Sequence, residues 1–466
     1  MQLASAAQVP WHDFAAQVFP KEVGLGAKIG HPVVFESDVR RYFIPASVTK
    51  MITAATALQA LGGDFKFQTQ LKWKQVGTEA HEVELIGDGD PSLTLKSLQE
   101  IAAAFKQNGV LSVVGSVRVR AADPIWNTSE VPSGNLNENL VWCYGAQPSA
   151  IMIDTNCALY AVTGERQGHW FESGVSDSVQ VDLQKGSSNQ IDIKLAGDHY
   201  VITGTVNTKT LPFYYDLRVL HPMRRAQVLM TQALSQAGMI FKSHEDLKDV
   251  ETIVEKSFTL SSLPLRELLP FYIKPSLNPP MEMIHRQLGR KSTLAEGTLL
   301  EKSVTAVMQF LESEFKSEGS RPYFADGSGL SRSNFLNAEW VYDFLNQQKQ
   351  KPYFKELLGA LSVGGKDGTL KERWTGTVAE GHVFAKTGTL NGHSNVVGYL
   401  GESLTPFVLL NDFVGQPVEL WKVRDAQNKM VLKWFEDEAQ TPTGILSGLG
   451  RRAKPLKHEF LIRDIE

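Results

Sequence analysis

The sequence predicts a mixed α/β (α+β) fold, on three observations. A nearly all-apolar run of helical spacing opens at Pro45; short alternating strands broken by Gly, Ser and Asn fill the middle; strands return near residue 381 before an amphipathic C-terminal helix. At 466 residues the chain has the length of about three domains, or of one large domain with insertions. A hydrophobic content of 42% with 21% charged residues is that of a globular protein with a substantial core. A formal net charge of −4 leaves no electrostatic footprint for nucleic acid or an anionic membrane surface. No apolar run reaches transmembrane length.

The elements follow in order. "AKIGHPVVFES" is expected to be an early strand. In "IPASVTKMITAATAL", Pro45 suits a helix start, because its missing N–H is a donor the helix leaves unpaired anyway. Met51, Ala54, Ala55, Leu58 and Leu61 then recur at helical spacing, and Gly62-Gly63 make the stop. Ser47 and Lys50 fall on one face, about one turn apart, at the head of a helix with almost no polar side. They are either a nucleophile with a proton acceptor beside it, or a helix cap followed by a snorkelling lysine. Ser313 and Lys316 share the spacing inside a charged helical stretch.

From about residue 66, "FQTQLKWKQV" and "VLSVVGSVRVRA" alternate like strands around the helical "KSLQEIAAAFKQNG". Residues 178–206 form a small β module, and "RRAQVLMTQALSQAG" a helix. Beyond residue 258 come the helices "LLEKSVTAVMQFLESEF" and "AEWVYDFLNQQ", then strands in "GHVFAKTGTLNGHSNVVGYLG" and "LTPFVLLNDFV". Lys386-Thr387-Gly388 lies inside one of these strands. A glycine weakens a strand unless another backbone or a ligand comes close, and the lysine and threonine offer a cation and a hydroxyl to a carboxylate. The alternative is a hairpin with an exposed lysine. Ser276-Leu277-Asn278 stands between helical stretches, where Pro279-Pro280 is expected to make the following helix start late or distort.

Ser-x-x-Lys, Ser-x-Asn and Lys-Thr-Gly, in that order, resemble the signature set of penicillin-binding proteins and serine β-lactamases. "GDGDPSL", "CYGAQPSAIMIDTNC", "DGSGLSR", "GGKDGTLKERW" and "KTGTLNGHSNVVGYL" narrow the resemblance to class C low-molecular-mass penicillin-binding proteins, the D-alanyl-D-alanine carboxypeptidase/endopeptidases of the penicillin-binding-protein-4 type, over about residues 25 to 435. The resemblance implies a transpeptidase-like domain with an antiparallel sheet flanked by helices, built from residues 1–65 and 258–466. A β-rich insert would occupy residues 66–257, including a small β module near 160–210.

It further implies a serine DD-peptidase acting on peptidoglycan stem peptides and acylated by β-lactam antibiotics, without cofactor or metal. In that scheme Ser47 is the nucleophile, Lys50 the base, Ser276 the proton relay and Asn278 a partner of Lys50 and of the substrate amide. Lys386, Thr387 and Gly388 line the carboxylate side, and the N–H groups of Ser47 and Thr389 form the oxyanion hole. Arg332 is expected on the substrate rim or in a structural role. In similar proteins an aspartate binds the diaminopimelate amine; Asn139 fills that position, beside Glu138. A β-lactamase would need a base for deacylation, and no Glu-x-x-x-Asn segment lies between Asn278 and Lys386. An inactive peptidoglycan-binding scaffold is the third reading.

Export fits this class. Ala4-Ser5-Ala6 near the start is either the tail of a removed secretion signal behind a start methionine or a chance feature of an alanine-rich terminus. Cys143 and Cys157 are expected to pair across a short loop in an extracytoplasmic, periplasmic protein, the alternative being two buried thiols. The eleven histidines show no ligand spacing for a metal.

Overall fold

The computed structural model describes residues 9–127, 130–172, 174–243, 253–314 and 321–440. The Ala4-Ser5-Ala6 segment, Lys316 and the basic stretch from Arg451 lie outside them, as does the side chain of Asn139.

One wholly antiparallel sheet organises the chain's two ends. Its order is Ser362–Val363, Val383–Leu390, His393–Leu400, Thr405–Asp412, Gly24–Ile29 and Phe35–Ser37. Every residue of His393–Leu400 is buried, because both faces are covered by helices. Val397 and Tyr399 pack with helices Thr49–Leu61 and Ala338–Gln348 on one face. Val396 and Leu400 pack with Trp11–Val18 and Leu420–Gln440 on the other. The expected early strand is two strands. The chain reverses after Gly30, whose φ of +97° suits a residue without Cβ, and Phe35–Ser37 returns along Gly24–Ile29.

The Thr49–Leu61 helix is buried on all sides over its first ten residues, as its nearly uniform apolarity requires. It ends at Gly62, whose φ is +85° and whose N–H returns to the Leu58 carbonyl at 3.2 Å. Ser47 precedes this helix, on a single 3-10 turn, Ala46–Val48.

The insert is built on a second sheet, ordered Ile240–Lys242, Ser112–Val114, Glu79–Gly87, Gln68–Val76 and Val254–Ser261, with Arg118–Ala121 also on Glu79–Gly87. Helices Leu95–Gln107 and Pro222–Gln236 cover it. Val254–Ser261 pairs with Gln68–Val76 along its length, so this sheet runs past residue 258. Two three-stranded sheets, one centred on Cys157–Gly164 and one on His199–Val206, close on a shared core of Tyr160, Val181, Tyr200 and Leu217.

The Asn278–Gly289 helix corrects the expectation for Pro279-Pro280. It starts at Asn278 without delay. Both prolines fall in its first turn, where the N–H groups have no intrahelical acceptor and the fixed φ is already helical.

Candidate active site

Three elements converge on Ser47. The 3-10 turn carries it, the Asn278–Gly289 helix points its first residue at it, and the Val383–Leu390 strand passes beside it. Gly388 explains the third approach. A Cβ there would collide with the Pro45 carbonyl oxygen and come within 3.2 Å of the Val48 nitrogen, so only glycine lets the strand lie against the turn. Asn395 on the adjacent strand donates to the carbonyls of Ile44 and Pro45, at 3.0 and 2.9 Å, and fixes the approach to the turn.

Lys50 is fully buried and has three oxygen partners: Ser47 Oγ at 2.8 Å, Asn278 Oδ1 at 2.6 Å and the Ser328 carbonyl at 2.7 Å. The amide and peptide oxygens can only accept. A neutral amine therefore donates its two N–H bonds to them and turns its lone pair to the Ser47 hydroxyl. Burial lowers the Lys50 pKa from its ordinary value to about 7, against an upward pull from Asp326 and Glu282. Lys386, also fully buried, donates to Ser276 Oγ at 2.9 Å and to the Thr387 carbonyl at 2.8 Å. Burial first, then Lys50, push its pKa well below the lysine range.

Hydrogen bonds thus join Ser47, Lys50 and Asn278 in one group and Ser276 and Lys386 in a second, and the two lysines are close enough for the charge of Lys50 to act on Lys386. Ala46 and Ser276 hold φ values of +50° and +66°, left-handed conformations that cost non-glycine residues free energy and persist where surrounding contacts fix them.

Other expected residues fall around these two groups. The Thr387 hydroxyl donates to Thr369 Oγ1 at 2.7 Å, and Thr369 N–H donates to the Lys274 carbonyl at 3.1 Å, just before Ser276. Thr389 is exposed and takes a 3.3 Å hydrogen bond from Arg424. Arg332 donates through both terminal nitrogens to the Asn391 carbonyl at 3.3 Å, at the end of the Lys-Thr-Gly strand. Glu138 is exposed on a 3-10 turn. After burial, its charge is the second influence raising the Tyr144 phenol. Cys143 and Cys157 are disulfide-bonded with their Cα atoms 5.1 Å apart. The neighbouring Tyr144 carbonyl accepts Asn278 Nδ2–H at 3.0 Å, which fixes the amide so that its oxygen faces Lys50. Ser313 spends its hydroxyl on the Phe310 carbonyl of its own helix.

Loop 326–331 carries a contact to the site that its motif does not reveal. Asp326 accepts the N–H groups of Gly329 and Ser331 and the Asn334 amide at 2.7–2.8 Å. Thr53, on the Thr49–Leu61 helix, donates to the Gly327 carbonyl at 2.8 Å. Gly329, at φ +83°, lies so close to the Ala46 carbonyl that a Cβ there would clash. Gly329 and Gly388 therefore hold the Ser47 turn from two sides. "DGSGLSR" marks the resemblance, but its contact with Lys50 is a main-chain carbonyl that no residue type announces.

The sequence pattern of the D-Ala-D-Ala carboxypeptidase 3 (S13) family matches residues 29–432. The chain is 30% identical over 427 residues to a D-alanyl-D-alanine carboxypeptidase of an Actinomadura species, covering 84% of this chain and 77% of that one. It is 25% identical over 394 residues to the D-alanyl-D-alanine carboxypeptidase DacB of Haemophilus influenzae, covering 79% of each. The crystal structure of penicillin binding protein 4 from Haemophilus influenzae shares the fold, with a TM-score of 0.78 over 92% of this chain and 99% of that chain at 21% identity.

Proposed function

The chain belongs to the D-Ala-D-Ala carboxypeptidase 3 (S13) family and is a serine DD-peptidase, and from that premise we propose that Ser47 attacks the D-alanyl carbonyl of peptidoglycan stem peptides with Lys50 as its base. The observation that carries the reading is the three-oxygen environment of Lys50, in which Ser47 Oγ is the only partner with a proton to give.

Proton transfer to Lys50 frees Ser47 Oγ to attack. The oxyanion meets the N–H groups of Ser47 and Thr389, and the Ser276 hydroxyl, held by Lys386, relays the proton taken up by Lys50 to the leaving amine. Water then hydrolyses the acyl-enzyme. A β-lactam follows the first half of this path, its ring opening to leave the acyl group on Ser47. Ser362–Val363 pairs only with Phe384 and Ala385, so the edge from Lys386 onward carries no strand partner among the described residues. An extended stem peptide would add along that edge, its terminal carboxylate toward Lys386, Thr387 and Ser276. Arg332 and Glu138 would meet its acyl side.

A periplasmic location is part of this reading. A Cys143–Cys157 disulfide persists in an oxidising compartment, and the peptides are found there.

The test is digestion of purified muropeptides, crosslinked dimers beside pentapeptide monomers, with a parallel time course of labelling by a fluorescent penicillin. Release of D-alanine or of monomers, with an adduct stable over hours, is expected. Rapid turnover of the penicillin, or no adduct at all, would overturn the assignment.

A further inference from the structure

Charged groups lie around Lys50 on three of the elements that surround it. Lys386 lies on the neighbouring strand, Asp326 on loop 326–331, and Glu282, with His285 and Arg286 beside it, on the helix that begins at Asn278. The acyl-transfer steps use Lys386 and none of the others. Glu282 is buried, one helical turn after Asn278. Its Oε1 accepts the N–H groups of Gly327 and Ser328 at 3.0 and 2.8 Å, and the carbonyl of that same Ser328 faces Lys50 Nζ at 2.7 Å. Its other oxygen takes a 3.3 Å hydrogen bond from Arg286. A carboxylate is costly to bury, and this one is held against the loop that contacts the base.

We propose that Glu282 is a positioning residue for the Ser47–Lys50 pair, holding the Ser328 carbonyl on Lys50 while its charge opposes the desolvation of the lysine. The proposal rests on Lys50 being the base. Without facing carboxylates, burial would drive Lys50 lower than about 7. Asp326 shares this task and exerts the larger upward pull on Lys50, while burial and Glu282 push its own carboxyl above the usual range. The sign follows: neutralising Glu282 destabilises the Lys50 ammonium, so the free amine persists to lower pH. The acid limb of the pH–rate profile then moves down as the rate on the plateau falls.

The experiment measures the rate of Ser47 acylation by a fluorescent penicillin across the acid limb, for the wild type, Glu282→Gln, Glu282→Asp and Lys50→Gln. Glutamine keeps an acceptor for the two loop N–H groups and removes the charge, so its limb is expected about one pH unit lower. Aspartate keeps the charge but shortens the reach, so its limb stays and its plateau falls by roughly tenfold or more. Lower plateaus in both variants with neither limb moved would reduce Glu282 to a structural residue and overturn the proposal. If a thermal melt shows that the glutamine variant does not fold, the aspartate variant decides, and a wild-type plateau there overturns it. Near-wild-type labelling of Lys50→Gln would instead sink the base assignment, a separate failure from that of Glu282.

Discussion

In the proposed role of base, Lys50 depends on burial, which removes the water that would stabilise its ammonium, while its two fixed acceptors leave one direction for the lone pair. The consequence is measurable. With its pKa brought to about 7, the lysine is protonated and inactive below that pH and free above it. The kcat/KM profile for peptide hydrolysis should therefore show an acid limb near neutrality, falling about tenfold per pH unit below it. A limb in the carboxylate range would assign the base to another group. Ser47→Ala should abolish both penicillin labelling and muropeptide cleavage with an unchanged thermal melt, since the half-buried hydroxyl is lost without opening a core cavity. Labelling that persisted at another serine would contradict the nucleophile.

The three motifs act at the scale of elements because glycine and proline let their backbones meet. Gly388→Ala places a methyl group against the Pro45 carbonyl and must push the strand off the Ser47 turn. A displacement of about 1 Å at a reacting group costs on the order of a hundredfold in rate. Acylation should fall by about that factor while the melting temperature moves little; wild-type acylation would show that the turn tolerates the methyl group. Most elements are legible from periodicity, the nearly all-apolar Thr49–Leu61 helix with its Gly62 stop above all. The prompt start of the Pro279-Pro280 helix is not legible, because proline's effect depends on its position in the helix, and that position is set by where Asn278 must stand to reach Lys50. The 3-10 turn at Ser47 is not legible either. The left-handed Ala46 depends on Asn395 and Gly329, which are remote in sequence.

For the whole molecule, the insert contributes to the site through the Cys143–Cys157 loop. Removing the disulfide with Cys143→Ser/Cys157→Ser should cost roughly 3 kcal/mol by loop-closure entropy. It should also slow acylation, because the adjacent Tyr144 carbonyl orients Asn278. Urea unfolding beside penicillin labelling reads both effects. Loss of stability with an unchanged labelling rate would separate the loop from the site. Substrate selection belongs to this scale too. Glu138 is exposed and Asn139 carries no charge, so the proposed contact to a diaminopimelate amine would be worth roughly 1.5–3 kcal/mol, about ten- to a hundredfold in kcat/KM. Acetylating that amine on crosslinked peptides should cost no more than about a hundredfold, and a larger loss would reveal strict recognition.

The sequence by itself determined the candidate reactive groups and their order, Ser47 with Lys50, Ser276 with Asn278, then Lys386, because hydroxyls, an amide and amines can be supplied only by particular side chains. It also determined the paired cysteines and the mixed architecture, which follow from residue type and period. Only the tertiary structure decided what holds those groups: the Ser328 carbonyl on Lys50, the Tyr144 carbonyl on Asn278, Glu282 behind loop 326–331, and Thr369 beside Thr387. The reason is physical. Carbonyl contacts use atoms that every residue carries, and the side-chain supports gain their roles from burial and from neighbours far away in sequence, so neither leaves a local pattern to read.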